Sequence, residues 1–135
     1  MSVSLAVLEW SPMESAMDEV RVLVVEDSED QALLLARHFE RAGCAVAVVG
    51  TAEDAIVAYG ERAPDIAVVD LQLPGMDGFE LVARLRRDCP TCVVVVTSVL
   101  DPADFPESDA VLPKPFTRAH VRRVLAETVP GWDGR

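Results

Sequence analysis

Val68-Val-Asp-Leu-Gln-Leu-Pro-Gly-Met-Asp-Gly78 opens as a buried strand and closes as a tight loop. Ile66, Val68 and Val69 are β-branched and apolar, and the run stops at an acid, Asp70. Pro74, Gly75 and Gly78 then mark a turn before helical spacing resumes at Phe79. A carboxylate at the C-terminal tip of a parallel strand lies where open α/β sheets place their ligands. Such a side chain meets solvent while its backbone stays paired in the sheet. Asp70 is therefore read as a phosphoacceptor, against the simpler reading of an Asp that merely caps a turn. The ends of the other strands discriminate between the two.

Upstream, Val20 to Val25 read as a buried strand ending in Glu26-Asp27. Ser28 caps a helix of about 14 residues, with Glu29 and Asp30 favourably placed in its first turn. Leu34, Leu35, His38, Phe39 and Ala42 recur at helical spacing, and Gly43 stops the helix. A second strand, Ala45 to Val49, leads to a helix capped by Thr51, with Asp54 completing a weak capping box, and running to about Arg62. Pro64 separates that helix from the strand Ile66 to Asp70. Downstream, Phe79 to Asp88 turns Leu81, Val82 and Leu85 inward and Arg84, Arg86 and Arg87 outward. Cys92 to Val96 is a fourth strand ending at Thr97, and Ala110 to Leu112 a short fifth that leads into Lys114. Thr117 caps a last helix to about Val129. Alternating strands and helices imply a parallel sheet, because parallel neighbours need crossover connections.

Composition narrows the class. One domain is the natural expectation for 135 residues of which 50% are apolar. Residues 20–129 form it, residues 1–19 are read as a flexible extension or covering arm, and residues 130–135 as a fraying tail. Twelve basic against twenty-three acidic residues give a net charge of −11, which repels phosphate backbones and anionic lipid. No nucleic-acid or membrane partner is therefore expected. The first basic residue is Arg21, unlike the start of a secretory signal, and no apolar run approaches the roughly 20 residues of a membrane span. Three cysteines suggest no disulfide framework, and the expected location is cytoplasmic. Cys89-Pro-Thr-Cys92 matches a redox spacing but in reversed order, after a helix and before a strand, so it is read as structural. His38 and His120 have no evident partner and are given no role.

In a parallel sheet Glu26, Asp27, Asp70, Thr97 and Lys114 all converge at one edge. Three carboxylates held together repel one another unless a cation joins them. Oxygen ligands at a wet edge suit Mg2+, which keeps several waters and binds through one or two carboxylates plus phosphate. Thr97 has a hydroxyl to donate to a phosphoryl oxygen, and Lys114 supplies a compact point charge. Eleven of the twelve basic residues are arginine, so the one lysine stands among the clustered acids.

Val24-Val-Glu-Asp27, Asp70-Leu-Gln-Leu-Pro-Gly-Met-Asp-Gly78, Val-Val-Thr-Ser98 and Lys114-Pro-Phe116 together resemble the receiver domain of bacterial two-component response regulators. The resemblance covers about Val20 to Val129. It implies a flavodoxin-like (βα)5 fold, a doubly wound parallel five-stranded sheet of strand order 2-1-3-4-5. It also implies that Asp70 accepts a phosphoryl group from a histidine kinase or phosphotransfer protein, with autodephosphorylation as the only other reaction. By the same resemblance Glu26, Asp27, Asp70 and the Gln72 carbonyl hold Mg2+, Thr97 and Lys114 contact phosphate, and Lys114-Pro115 is a cis bond.

Two departures stand out. The family's inward-swinging aromatic, three residues before the lysine, is replaced by Val111. Only Ser98 to Ser108 remain to connect the fourth and fifth strands, and Pro106 forces Phe105 out of helical geometry, so the family's fourth helix is expected to be shortened or absent. The sheet face beside Val93 to Val96 then lacks a helical cover. Either the arm Val3 to Trp10, a second copy of the chain or a partner covers it, or the neighbouring helices close over it. The expected function is a stand-alone phosphorylation-controlled interaction module acting on a downstream protein. The rival is a phosphatase resembling the haloacid dehalogenase group. That group needs a second Asp two residues after its nucleophile, where Gln72 stands here.

Overall fold

The computed structural model describes residues 20–98 and 108–132. The elements, in chain order, are β1 (Arg21–Val25), α1 (Glu29–Arg41), β2 (Ala45–Val49), α2 (Ala52–Glu61), β3 (Ile66–Asp70), α3 (Gly78–Asp88), β4 (Val93–Ser98), β5 (Ala110–Pro113) and α4 (Arg118–Thr128). The strands form one parallel five-stranded sheet in the order β2-β1-β3-β4-β5. This is the flavodoxin-like doubly wound arrangement, with four helices among the described residues. Residues 1–19, and the expectation of at most one helical turn between Ser98 and Ser108, fall outside the described residues.

Helix boundaries follow local chemistry. Ser28 Oγ accepts from the Gln31 N–H at 3.5 Å, Thr51 Oγ1 from Asp54 at 3.0 Å and Asp77 Oδ1 from Glu80 at 2.9 Å. Each of these bonds satisfies one of the orphan donors of a helix's first turn. At the end of α1 Gly43 takes φ +94°, its N–H donating to the Glu40 carbonyl and that of Cys44 to the Phe39 carbonyl. Glycine alone adopts this left-handed position without strain, which is why the helix stops there.

The sheet is buried on both sides, so its central strands read as unbroken apolar runs. One core unites Leu23, Val25, Val69, Val94 and Val96 with α2 and α3, the other Val22, Val24, Val68, Val95 and Leu112 with α1 and α4. On the face beside Val93 to Val96, Val94 and Val96 are fully buried, in one cluster with Leu81, Val82 and Leu85 of α3, which fits the alternative of a neighbouring helix closing over it. Exposure falls instead on Val111 of the edge strand β5, paired in register with Val96. Of the expected apolar stripe of α1, Leu35, Phe39 and Ala42 are buried. Ala32 and Ala36 are buried with them, whereas Leu34 is 43% exposed, one position off the inward row. At the other end the Trp132 N–H donates to the Val129 carbonyl, and the centre of its ring lies 5.3 Å from the Arg122 guanidinium carbon.

The Cys89–Cys92 spacing sits on the turn from α3 into β4, the Cys92 N–H donating to the Cys89 carbonyl at 3.0 Å. Both thiols are free. Burial, reinforced by neighbouring Cys89, pushes Cys92 up to about 12, far from a reactive thiolate.

Candidate functional site

The C-terminal ends of β1, β3, β4 and β5 bring the singled-out residues to one edge. Glu26 follows β1, its backbone N–H donating to the Val49 carbonyl at 3.0 Å. One of its carboxylate oxygens accepts from the Ser28 N–H at 3.1 Å, and the other lies 2.9 Å from Lys114 Nζ. Asp70 ends β3. Its Oδ1 accepts from the Gln72 N–H at 3.0 Å and its Oδ2 from Lys114 Nζ at 3.1 Å. Asp27 is exposed, yet Glu26, Asp27 and Asp70 each present an oxygen within 4.8 Å of the others. Thr97 is the register partner of Asp70 on β4 and is fully buried, its Oγ1 without a hydrogen-bond partner among the described residues. The Lys114–Pro115 bond is cis.

Charge explains how these groups coexist. Burial raises Glu26 above the usual carboxylate range, the Asp70 charge adds to this, and Lys114 and the Ser28 N–H offset only part. Burial by itself pulls the Lys114 ammonium down, but Glu26 and Asp70 together outweigh it and hold the amine charged beyond the ordinary lysine range. One ammonium thus bridges two buried carboxylates. Asp27, open to water, leaves the cluster with surplus negative charge, and its all-oxygen donor set suits a hard divalent cation.

The loop after Asp70 is held by contacts that the sequence did not reveal. Gly78 packs so tightly that a Cβ there would lie against the Asp70 carbonyl oxygen and 2.5 Å from the Leu71 Cα. Gly75, at φ +72°, lays its backbone beside the carboxylate of Glu53 on α2, which accepts from the Met76 N–H at 3.3 Å. Glu53 thereby ties the loop carrying Gln72 to a neighbouring helix. Glu53→Ala should cost only about 0.5–1 kcal/mol, since the bond is exposed. Faster amide exchange at Met76 than in the parent protein is the expected reading, and unchanged exchange would remove Glu53 from the support of the loop.

Other partners emerge only in three dimensions. His120 completes a capping box for α4, its Nδ1 accepting from the Thr117 N–H at 3.1 Å while its own N–H donates to Thr117 Oγ1 at 3.2 Å. His38 meets the ring of Phe116 edge-on at 6.3 Å, so both histidines are structural. Tyr59 on α2 donates to Asp88 on α3 at 2.6 Å. Asp109 accepts from the Val94 N–H at 2.8 Å and pairs with Arg86, securing the start of β5.

A doubly wound parallel sheet thus gathers three carboxylates, a buried threonine and a bridging lysine at its C-terminal edge. The sequence profile of the response regulator receiver domain matches residues 22–126, and the chain belongs to that family. Similarity extends to the transcriptional activator protein PfeR of Pseudomonas aeruginosa, 35% identical over 82% of this chain and 40% of that protein. The DNA-binding response regulator MtrA of Mycolicibacterium paratuberculosis is 33% identical over 76% of this chain and 52% of its own length. The chain thus spans about half the length of these relatives or less. Among solved structures, a CheY-like response regulator receiver domain from Methylobacillus flagellatus superposes with a TM-score of 0.75 at 28% identity, over 82% of this chain and 99% of that one.

Proposed function

We propose that Asp70 accepts a phosphoryl group from the phosphohistidine of a kinase or phosphotransfer protein, and that phosphorylation controls the binding of a downstream protein. The observation that carries this reading is the Lys114 ammonium shared between Asp70 and Glu26, with Asp27 beside them. The Asp70 carboxylate oxygen bonds to phosphorus as the P–N bond to the donor imidazole breaks, and the imidazole departs with the electron pair. Lys114 follows the charge: an ammonium already against Asp70 Oδ2 has further hydrogens to donate to a phosphoryl oxygen. Thr97 Oγ1, buried and unpartnered, gains an acceptor when phosphate arrives. The residues present fit Mg2+, which Glu26, Asp27, Asp70 and the Gln72 carbonyl would hold. When bound it supplies charge neutralisation for the transferring group. With Val111 on the edge strand in place of an aromatic, the phosphate signal is carried through Thr97 and Ser98 at the end of β4.

The test is labelling by a small-molecule phosphoryl donor. Incorporation should require Mg2+, be lost on hydroxylamine treatment, vanish in Asp70→Asn and persist in Asp54→Asn. Equal labelling of Asp70→Asn would sink the assignment. Sustained turnover of a generic phosphate ester would point to a phosphatase instead.

A further inference from the structure

In this strongly acidic chain the arginines of different helices differ in their ion pairing among the described residues. On α3, Arg84, Arg86 and Arg87 are paired with Glu80, Asp109 and Asp88. On α1 and at the start of α4, by contrast, Arg37, Arg41 and Arg118 form no ion pair among the described residues. All three stand close enough to His38 to lower its pKa, an effect led by burial. Leu33 and Leu34 lie one helical turn before Arg37 and His38, and they are 55% and 43% exposed. The outer face of α1 therefore reads, from its C-terminal end backward, as basic and then apolar.

Residues 1–19 have the complementary order. They hold four acids, Glu9, Glu14, Asp18 and Glu19, and no base. Read away from the domain, Glu19, Asp18 and Glu14 come first, and Trp10, Leu8, Val7 and Leu5 follow. The point of departure also matches. Val20 packs into the core shared with α1 and α4, and its carbonyl accepts from the Ala45 N–H at 2.9 Å, four residues beyond Arg41. From Arg41 to Leu33 is about 12 Å along the helix axis. Residues 10–19 extended reach about 33 Å, so the span leaves slack.

We infer that residues 1–19 dock along the outer face of α1, acids on Arg41 and Arg37 and the apolar stretch around Trp10 on Leu34 and Leu33. Each exposed ion pair is weak and screened by salt, so the contact is reversible.

The test uses the full-length chain with Trp132→Phe, leaving Trp10 as the one indole, and reads acrylamide quenching of its emission. Trp10 should be shielded in the parent chain and become severalfold more accessible in Arg37→Glu/Arg41→Glu or at high salt. Adding Glu14→Lys, Asp18→Lys and Glu19→Lys to the Arg37→Glu/Arg41→Glu variant should restore the shielding, which a merely structural role for the arginines would not allow. Equal quenching in the parent and the Arg37→Glu/Arg41→Glu variant overturns the proposal, as does failure of the charge swap. Shielding that appears only with rising protein concentration also overturns it, since the occupant is then a second copy.

Discussion

Gly78→Ala should destabilise the domain by about 2–3 kcal/mol, the cost of forcing an atom into a filled space. The added Cβ meets only backbone, the Asp70 carbonyl oxygen and the Leu71 Cα at 2.5 Å, so no rotamer change relieves it. Either β3 or the start of α3 must move. Movement lengthens the bond from the Gly78 N–H to the Leu71 carbonyl, now 3.2 Å, and shifts the residue beside Asp70. Phosphoryl labelling should fall together with stability. Gly60→Ala in α2 is the matched control. Nothing lies within 4 Å of the built Cβ there, so the exchange should stabilise by about 0.5–1 kcal/mol through helix propensity alone. Denaturant titration of both variants decides it, and a Gly78→Ala variant as stable as the parent would show that the close approach is not tight.

The convergence of Glu26, Asp70, Thr97 and Lys114 was legible because a parallel sheet puts every strand's C-terminal end at one edge. β3 is bounded as expected, because a β-branched run that stops at an acid and then a turn leaves little freedom of register. What was not legible depends on contacts distant in sequence. Glu53 reaches a loop more than twenty residues away, and nothing in Thr51-Ala-Glu-Asp54 announces it. Asp77 was hidden as a cap because Pro74 and Gly75 already accounted for the turn. The exposure of Leu34 was not legible because Leu33, Leu34 and Leu35 are adjacent, and hydropathy cannot tell which of three consecutive leucines points inward. That Val94 and Val96 share a core cluster with Leu81, Val82 and Leu85 is a packing fact with no local signature.

Lys114→Met should cost about 3 kcal/mol at neutral pH, because it leaves two buried carboxylates without their shared counter-charge. The side chains of Glu26 and Asp70 are 1% and 4% exposed, so water cannot replace the ammonium. In the parent chain the folded lysine pKa is raised above 10.5, so its stabilisation is fully present below that value and is lost only as pH climbs through the folded pKa. The variant has the opposite dependence. Glu26, already raised above 4.5 by burial, rises further without the ammonium, so the folded state binds a proton that the unfolded chain releases. Acidification from neutral toward 4.5 should therefore narrow the gap between variant and parent. Added Mg2+ should narrow it too, by binding carboxylates that no longer share an ammonium. Lys114→Arg keeps the charge and should lose less stability, yet its planar guanidinium is too broad to touch Asp70 and phosphate together. Reduced signalling from a normally folded, phosphorylated Lys114→Arg variant would separate the role proposed for the lysine in the switch from its role in the fold. A Lys114→Met variant as stable as the parent at neutral pH would mean that the ammonium does not hold the two acids as its 2.9 and 3.1 Å contacts imply.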